Sequence, residues 1–402
     1  MMRFKALCLG LLCGLLAAHI YMPIPSNIEE HWKVMVLDAT AKICTFMGTC
    51  FENIGIMKYE EFISMIIRLD YTQLLSDEYV TVTDTTFADV PVRLYLPKRK
   101  SETPRRAVIY IHGGAYCFGS FKQSGYDFLN RWTANKLDAV VVGVDYRLGP
   151  QHRFPAQFED TIAAVKFFFQ DKILTKYGVD PTRVCISGDS AGGMLATAVT
   201  QQVQNGLEIK HKIKAQALFY PSLQIIDSYV PSLRESENGI ILTREVAIKL
   251  LSLYIAEDET LPQAMRRNQY MPLESRHLFK FVNWSILLPE KYRKDHVYTE
   301  PSLGTTNFSL PIFMDVRASP LLASDSQLRN LPLTYIITCQ YDILRDDGLM
   351  YVSRLQNVGV QVVHEHIEDG FHGALSYMTS PLYLHLGLRI RDMYISWLDN
   401  NL

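Results

Sequence analysis

The spacing of apolar positions changes several times along the chain. Between residues 28 and 75 it is helical, with Trp32, Met35, Val36, Ala39 and Ile43 on one side and then Phe62, Met65, Ile66 and Leu69. This spacing predicts amphipathic helices whose stripe packs on the core. From residue 79 the period shortens to that of strands, with runs at 79–82, 90–96, 107–111 and 139–146. The run 107–111 is continuously apolar, as expected of a strand buried on both faces. Strand character returns at 183–187, 217–220, 331–339 and 360–367, and helical patterns between these runs predict a mostly parallel sheet with helices on both faces. From Pro221 to about Pro311 the rhythm stops. That stretch holds helical pieces such as 243–256 and the aromatic segment Phe279-Lys280-Phe281-Val282-Asn283-Trp284. A long insertion between two strands of one sheet reads as a lid or binding element rather than a plain surface excursion, so cap elements are expected at about 28–75 and 222–311.

One junction carries chemistry. Gly188-Asp189-Ser190-Ala191-Gly192 follows the run 183–187 and precedes the helical stretch from Gly193. A serine reversing the chain between strand and helix has a strained backbone and a raised hydroxyl, and the flanking glycines avoid collision. A G-x-S-x-G pattern in that position is the nucleophile elbow of an α/β-hydrolase. The run 107–111 ends in His112-Gly113-Gly114-Ala115, where the amides of Gly113 and Gly114, with that of Ala191, are expected to hold a substrate oxyanion. The alternative is an ordinary glycine turn. His112 is expected to pin the loop by hydrogen bonding. Asp342 follows the run 331–339, while Asp346 and Asp347 compete for its role but read as solvated or helix-capping. His364 and His366 alternate within a strand run and read as a solvated face, whereas His372 lies in the loop beyond. Ser190, Asp342 and His372 thus occur in the order the fold requires.

Composition narrows the class. The chain has 402 residues, 48% hydrophobic and 20% charged, with a net charge of −2; this describes a globular protein with a large core and no basic stripe for nucleic acid. At the N-terminus, Arg3 and Lys5 precede an uncharged apolar run from Ala6 to Met22, followed by Pro23 and Pro25. A cleaved signal and an uncleaved anchor compete for residues 1–25; the candidate cut after Ala18 would place Leu16 where a small residue is needed, which favours the uncleaved signal anchor. The positive-inside rule leaves Arg3 and Lys5 cytoplasmic and sends residues 26–402 into the lumen, making Asn283 and Asn307, each in an N-x-S triplet, glycosylation acceptors.

His112-Gly113-Gly114, Asp145-Tyr146-Arg147-Leu148, Phe154-Pro155-Ala156, Asp180-Pro181 and Gly188-Asp189-Ser190-Ala191-Gly192-Gly193 together resemble the arylacetamide deacetylase-like family of hormone-sensitive-lipase-type carboxylesterases. The resemblance runs from about residue 80 to the C-terminus. It implies an α/β-hydrolase under a helical cap, in the endoplasmic reticulum membrane, cleaving esters or amides of lipophilic substrates through Ser190, His372 and Asp342 without a cofactor or metal. It also implies a disulfide between Cys117 and Cys339; Cys44 and Cys50 could pair only if Gly48 broke their helix. Two positions depart from the family pattern, Ala115 where a third glycine is usual and Met194 where asparagine is common. The rival reading is a catalytically silent protein that uses the hydrolase pocket to bind a lipophilic ligand.

Overall fold

The computed structural model describes residues 23–206, 209–236, 239–305, 308, 310–379 and 381–402; the expected anchor up to Met22 and Asn307 lie outside them. Eight strands form one sheet in the order β1-β2-β4-β3-β5-β6-β7-β8. They are β1 (Val80–Phe87), β2 (Val90–Pro97), β3 (Arg105–Ile111), β4 (Val140–Val144), β5 (Val179–Asp189), β6 (Ala215–Phe219), β7 (Leu333–Tyr341) and β8 (Val362–Phe371). β2 is antiparallel to β1 and β4, and every pair from β4 to β8 is parallel. Side chains of β3 alternate between the two layers, with Ala107, Ile109 and Ile111 in one cluster and Val108 and Tyr110 in the other. A period of two thus buries both faces of a continuously apolar strand.

The longer helices are α1 (His31–Asn53), α2 (Tyr59–Arg68), α3 (Ser124–Leu137), α4 (Ala156–Phe168), α5 (Ala191–Asn205), α6 (Arg244–Ile255), α7 (Arg345–Asn357) and α8 (His385–Asn401). α4, α5 and α7 pack on the Ile109 face, and α3 and α8 on the Tyr110 face. Residues between β6 and β7 form α6 and several short helices, including Leu261–Arg266 and Trp284–Leu287. Asn283 caps the latter, its side-chain oxygen accepting from Ser285 N at 3.1 Å and Ser285 Oγ at 2.6 Å.

Three expectations are corrected here. α1 and α2 form where the spacing put them, but only part of their stripe packs inward: Phe62 is buried and Met35 rests against the core, whereas Trp32, Val36, Ile43, Met65 and Leu69 are exposed and α1 buries Val34, Asp38 and Gly48 instead. The inner side of α1 carries Asp38, Gly48 and Glu52 beside Val34, so the body covers the less apolar side, which periodicity alone could not assign. Gly48 helps set it, because Tyr59 and Phe62 approach to 3.0 and 3.1 Å of where a Cβ would stand. Asp346 and Asp347 are in the first turn of α7 but are fully buried, not solvated. Asp346 accepts from Ser232 N at 2.6 Å and Asp347 from Leu223 N at 2.8 Å, so both tie the stretch after β6 to α7. His364 and His366 are half-buried around Thr338 Oγ1, at 2.8 and 2.9 Å, and His366 also meets Tyr292 Oη at 3.0 Å. Burial lowers His366 to about 4, so it is neutral in a packed polar cluster rather than part of a wet face.

One buried cation joins the antiparallel edge to its helix. Arg93, 1% exposed, meets Asp84 at 2.7 Å and the buried Asp127 of α3 at 3.2 Å. Asp127 also accepts from Tyr95 Oη at 3.0 Å and pairs with Arg131 at 2.7 Å. Removing one member of a buried pair leaves its partner without full compensation. Arg93→Ala is therefore expected to destabilise the protein by about 3 kcal/mol, read as a lower denaturant midpoint in equilibrium unfolding.

Candidate active site

Four parallel strands each end one residue before a site residue: His112 follows β3, Ser190 β5, Asp342 β7 and His372 β8. Parallel strands direct their carboxyl ends to one edge of the sheet, which is where such folds build their sites. The last register pair of β7 and β8, Tyr341 with Phe371, makes Asp342 and His372 neighbours. His372 Nδ1 lies 3.0 Å from both carboxylate oxygens of Asp342, and its Nε2 lies 2.9 Å from Ser190 Oγ. The carboxylate at Nδ1 sets the tautomer, leaving Nε2 to accept the serine proton. All three residues are buried, and the Tyr220 ring stands 4.9 Å from the imidazole.

Ser190 has φ 54° and ψ −121°, a region that costs a non-glycine residue on the order of 1–3 kcal/mol. A Cβ at Gly192 would stand 2.2 Å from Ile111 O, and one at Gly188 would stand 2.4 Å from Gly192 O. The elbow can therefore lie against β3 only if both positions are glycine.

The oxyanion loop differs from expectation at one donor. The Gly113 amide is engaged, donating to Asp189 Oδ1 at 3.0 Å and to Tyr126 Oη at 3.0 Å. Among the described residues the amides of Gly114, Ala115 and Ala191 have no partner. Gly113 instead binds the loop to the residue before the nucleophile. Asp189 is buried and takes further hydrogen bonds from Tyr110 Oη at 3.1 Å and Tyr126 Oη at 2.9 Å; burial raises its pKa against those donors. The sequence reading missed this clamp. Its available signal was a tyrosine in a buried strand, whose hydroxyl needs a partner. Ala115, with φ 51°, holds a left-handed turn without glycine. His112 is stacked on Tyr146 at 4.4 Å and bonds Gly113 O through Nδ1 at 2.7 Å, so it braces the loop.

The Cys117–Cys339 bridge is absent, and both thiols are free. Cys117 packs with Tyr59, Phe118 and Leu250, whereas Cys339 lies in the cluster behind the sheet with Phe371. β5 and β6 separate β3 from β7, a gap of about 14 Å at 4.8 Å per strand step, while bridged Cα atoms lie within about 7 Å.

Two cavities meet at Ser190. One of about 550 Å³ is bordered by His372, Leu37, Ile66, Ile67, Phe118 and Leu250. A smaller one of about 90 Å³ lies past Ala115 and Ala191, with Asp227 and Asp347 in its wall. Burial pushes Asp227 up to about 6 and Asp347 up to about 7. Asp227 Oδ1 accepts from Tyr229 N at 2.8 Å and Asn268 Nδ2 at 2.9 Å, whereas Oδ2 has no partner. A carboxyl whose folded pKa lies above its unfolded value favours folding when protonated, so its contribution is lost as pH rises from about 4 to about 6. Asp227→Asn should gain stability over the wild type across that window, on the order of 2 kcal/mol by neutral pH. Thermal unfolding of both proteins at several pH values measures the gap.

The sequence profile of the α/β-hydrolase fold family matches residues 108–278 and 276–376. The chain is 78% identical over 401 residues to arylacetamide deacetylase-like 2 of Homo sapiens, covering all of both chains. It is 51% identical to arylacetamide deacetylase of Oryctolagus cuniculus, covering 97% of this chain and 98% of that one, and 40% identical to neutral cholesterol ester hydrolase 1 of Pongo abelii, covering all of both. A hyperthermophilic esterase from Pyrobaculum calidifontis superposes with a TM-score of 0.65 at 24% identity, covering 94% of this chain and 99% of that one, and supports the fold alone. The chain belongs to the α/β-hydrolase family, in its arylacetamide deacetylase-like branch.

Proposed function

We propose that the protein hydrolyses carboxylic esters or amides of lipophilic substrates through an acyl-enzyme on Ser190. The reading rests above all on the contact of His372 with both Ser190 and Asp342. His372 takes the hydroxyl proton as Ser190 attacks the carbonyl carbon, and Asp342 orients and stabilises the imidazolium. The same proton then goes to the leaving oxygen or nitrogen, and water releases the acyl group by the reverse route. The amides of Gly114, Ala115 and Ala191 hold the oxyanion, each contributing roughly 3 kcal/mol to the transition state. This donor set moves one residue along from Gly113 because that amide already serves Asp189.

The two cavities divide the substrate. The leaving group receives its proton from His372, so it occupies the chamber that His372 borders, which is large and mostly apolar. The acyl group then lies in the small cavity past Ala191. On this reading the substrate pairs a short acyl group with a bulky lipophilic alcohol or amine. Residues 1–25 anchor the chain in the endoplasmic reticulum membrane with the catalytic domain lumenal, as the charges at Arg3 and Lys5 support; Asn283 and Asn307 are then within reach of glycosylation. A silent ligand carrier would have no use for a tautomer-fixed imidazole on the serine.

Ser190→Ala should keep the fold and lose p-nitrophenyl acetate hydrolysis by at least roughly 10⁴-fold. Asp342→Asn is expected to fall by a comparable factor, whereas Asp347→Asn, which touches no residue of the triad, should fall far less. Fluorophosphonate labelling lost in Ser190→Ala checks the nucleophile independently. Across a p-nitrophenyl ester series, kcat/KM should be highest for two- to four-carbon acyl groups and fall steeply by eight; the opposite order would place the acyl group in the large chamber.

A further inference from the structure

α1 presents an uncharged apolar face to the outside. Trp32, Val36, Ile43, Phe46, Met47 and Ile54 are all exposed, and at about 100° per residue they fall within about a third of the helix circumference. Most of the exposed large apolar side chains among the described residues lie between residues 32 and 75, Ile56, Met65, Leu69, Leu74 and Leu75 among them. Scattered apolar side chains need no explanation, whereas a continuous patch marks a contact.

The position of this patch points to its occupant. The uncharged run from Ala6 to Met22 ends nine residues before α1. The chain is fastened to the body from Ile24 and Ile28 onward, both buried, so a bilayer holding that run lies within a short tether of the patch. α1 is long and apolar enough to cross a membrane by length and composition, but its inner side is held along most of its length. Val34 is in the core, Asp38 accepts from Ile241 N at 2.9 Å, Gly48 receives Tyr59 and Phe62, and Glu52 pairs with Lys249. A helix tied to the protein by charged groups on one side and bare and apolar on the other lies in an interface instead of spanning it.

α1 and α2 also wall the large chamber, through Leu37, Ile66 and Ile67. Met65 in α2 and Leu69 just past its end, close in sequence to those isoleucines, are also exposed. We propose that the outer face of α1 and α2 inserts into the acyl region of a lipid bilayer and that lipophilic substrate passes from the bilayer across α2 to Ser190. The second half rests on the hydrolase reading; the first does not. Acidic residues outnumber basic ones between residues 28 and 75, so insertion is apolar and needs no anionic lipid.

The test uses the full chain reconstituted in phosphatidylcholine vesicles. Bromine-labelled lipids should quench Trp32, the quenching should disappear in Trp32→Phe, and phosphatidylserine or salt should change it little. The triple variant Val36→Lys, Ile43→Lys, Met47→Lys is expected to lower hydrolysis of a bilayer-dissolved lipophilic acetate on the order of tenfold while leaving soluble p-nitrophenyl acetate unchanged. Circular dichroism and the soluble-ester rate together report that this variant is folded. Trp32 open to iodide and untouched by bromolipid would overturn insertion, as would a dimer that the three lysines dissociate, which would give the face to a second copy. Quenching with equal loss on both esters, or with no loss on either, would overturn the substrate path. A wild type that quenches but hydrolyses neither ester would instead defeat the hydrolase reading and leave insertion standing.

Discussion

The parallel alignment of β3, β5, β7 and β8 is the constraint on which the site depends. Each strand delivers its next residue to the same edge, so His112, Ser190, Asp342 and His372 come together although up to 260 residues separate them. The alignment works only because the chain can reverse at Ser190 within van der Waals distance of β3. The missing side chains at Gly188 and Gly192 make that possible, and the elbow's positive φ is retained because the sheet and α5 hold it on both sides.

A second layer of polar contacts makes the site one unit. Asp189 is a buried carboxyl satisfied by two tyrosine hydroxyls and the Gly113 amide, so the residue beside the nucleophile also positions the oxyanion loop. A buried carboxyl is costly unless fully hydrogen-bonded, which makes the loop and elbow move together. On the far side, Asp346 and Asp347 play a similar part for the stretch after β6, holding it against α7 and shaping the small cavity.

On the proposed reading, the N-terminal helices would connect this chemistry to a substrate held in the bilayer. They are joined to each other at Gly48, fastened to the body through Val34, Asp38 and Glu52, and border the large chamber with Leu37, Ile66 and Ile67. Their other side is left apolar and bare. A lipophilic molecule dissolved in a bilayer would thereby reach the serine without crossing water, whose avoidance of apolar surface is what keeps such a substrate in the membrane.

The sequence by itself located the strand runs and the elbow and put Asp342 and His372 just past two of those runs, because each rests on local information: a period of two or 3.6, and glycines two residues either side of a serine. Only the tertiary structure decided what depends on distant neighbours. Periodicity showed that α1 has an apolar stripe but not which side the body would cover, since the contacts of Asp38 and Gly48 with residues distant in the chain hold the less apolar side inward. The family resemblance implied a Cys117–Cys339 pair, but two intervening strands keep the two residues apart. The pattern placed Asp346 and Asp347 at a helix start, yet burial depends on the insertion that folds over them. Gly113 matched a donor motif, and its amide was claimed by an aspartate 76 residues away, a contact that no spacing rule encodes because it exists only once β3 and β5 lie side by side.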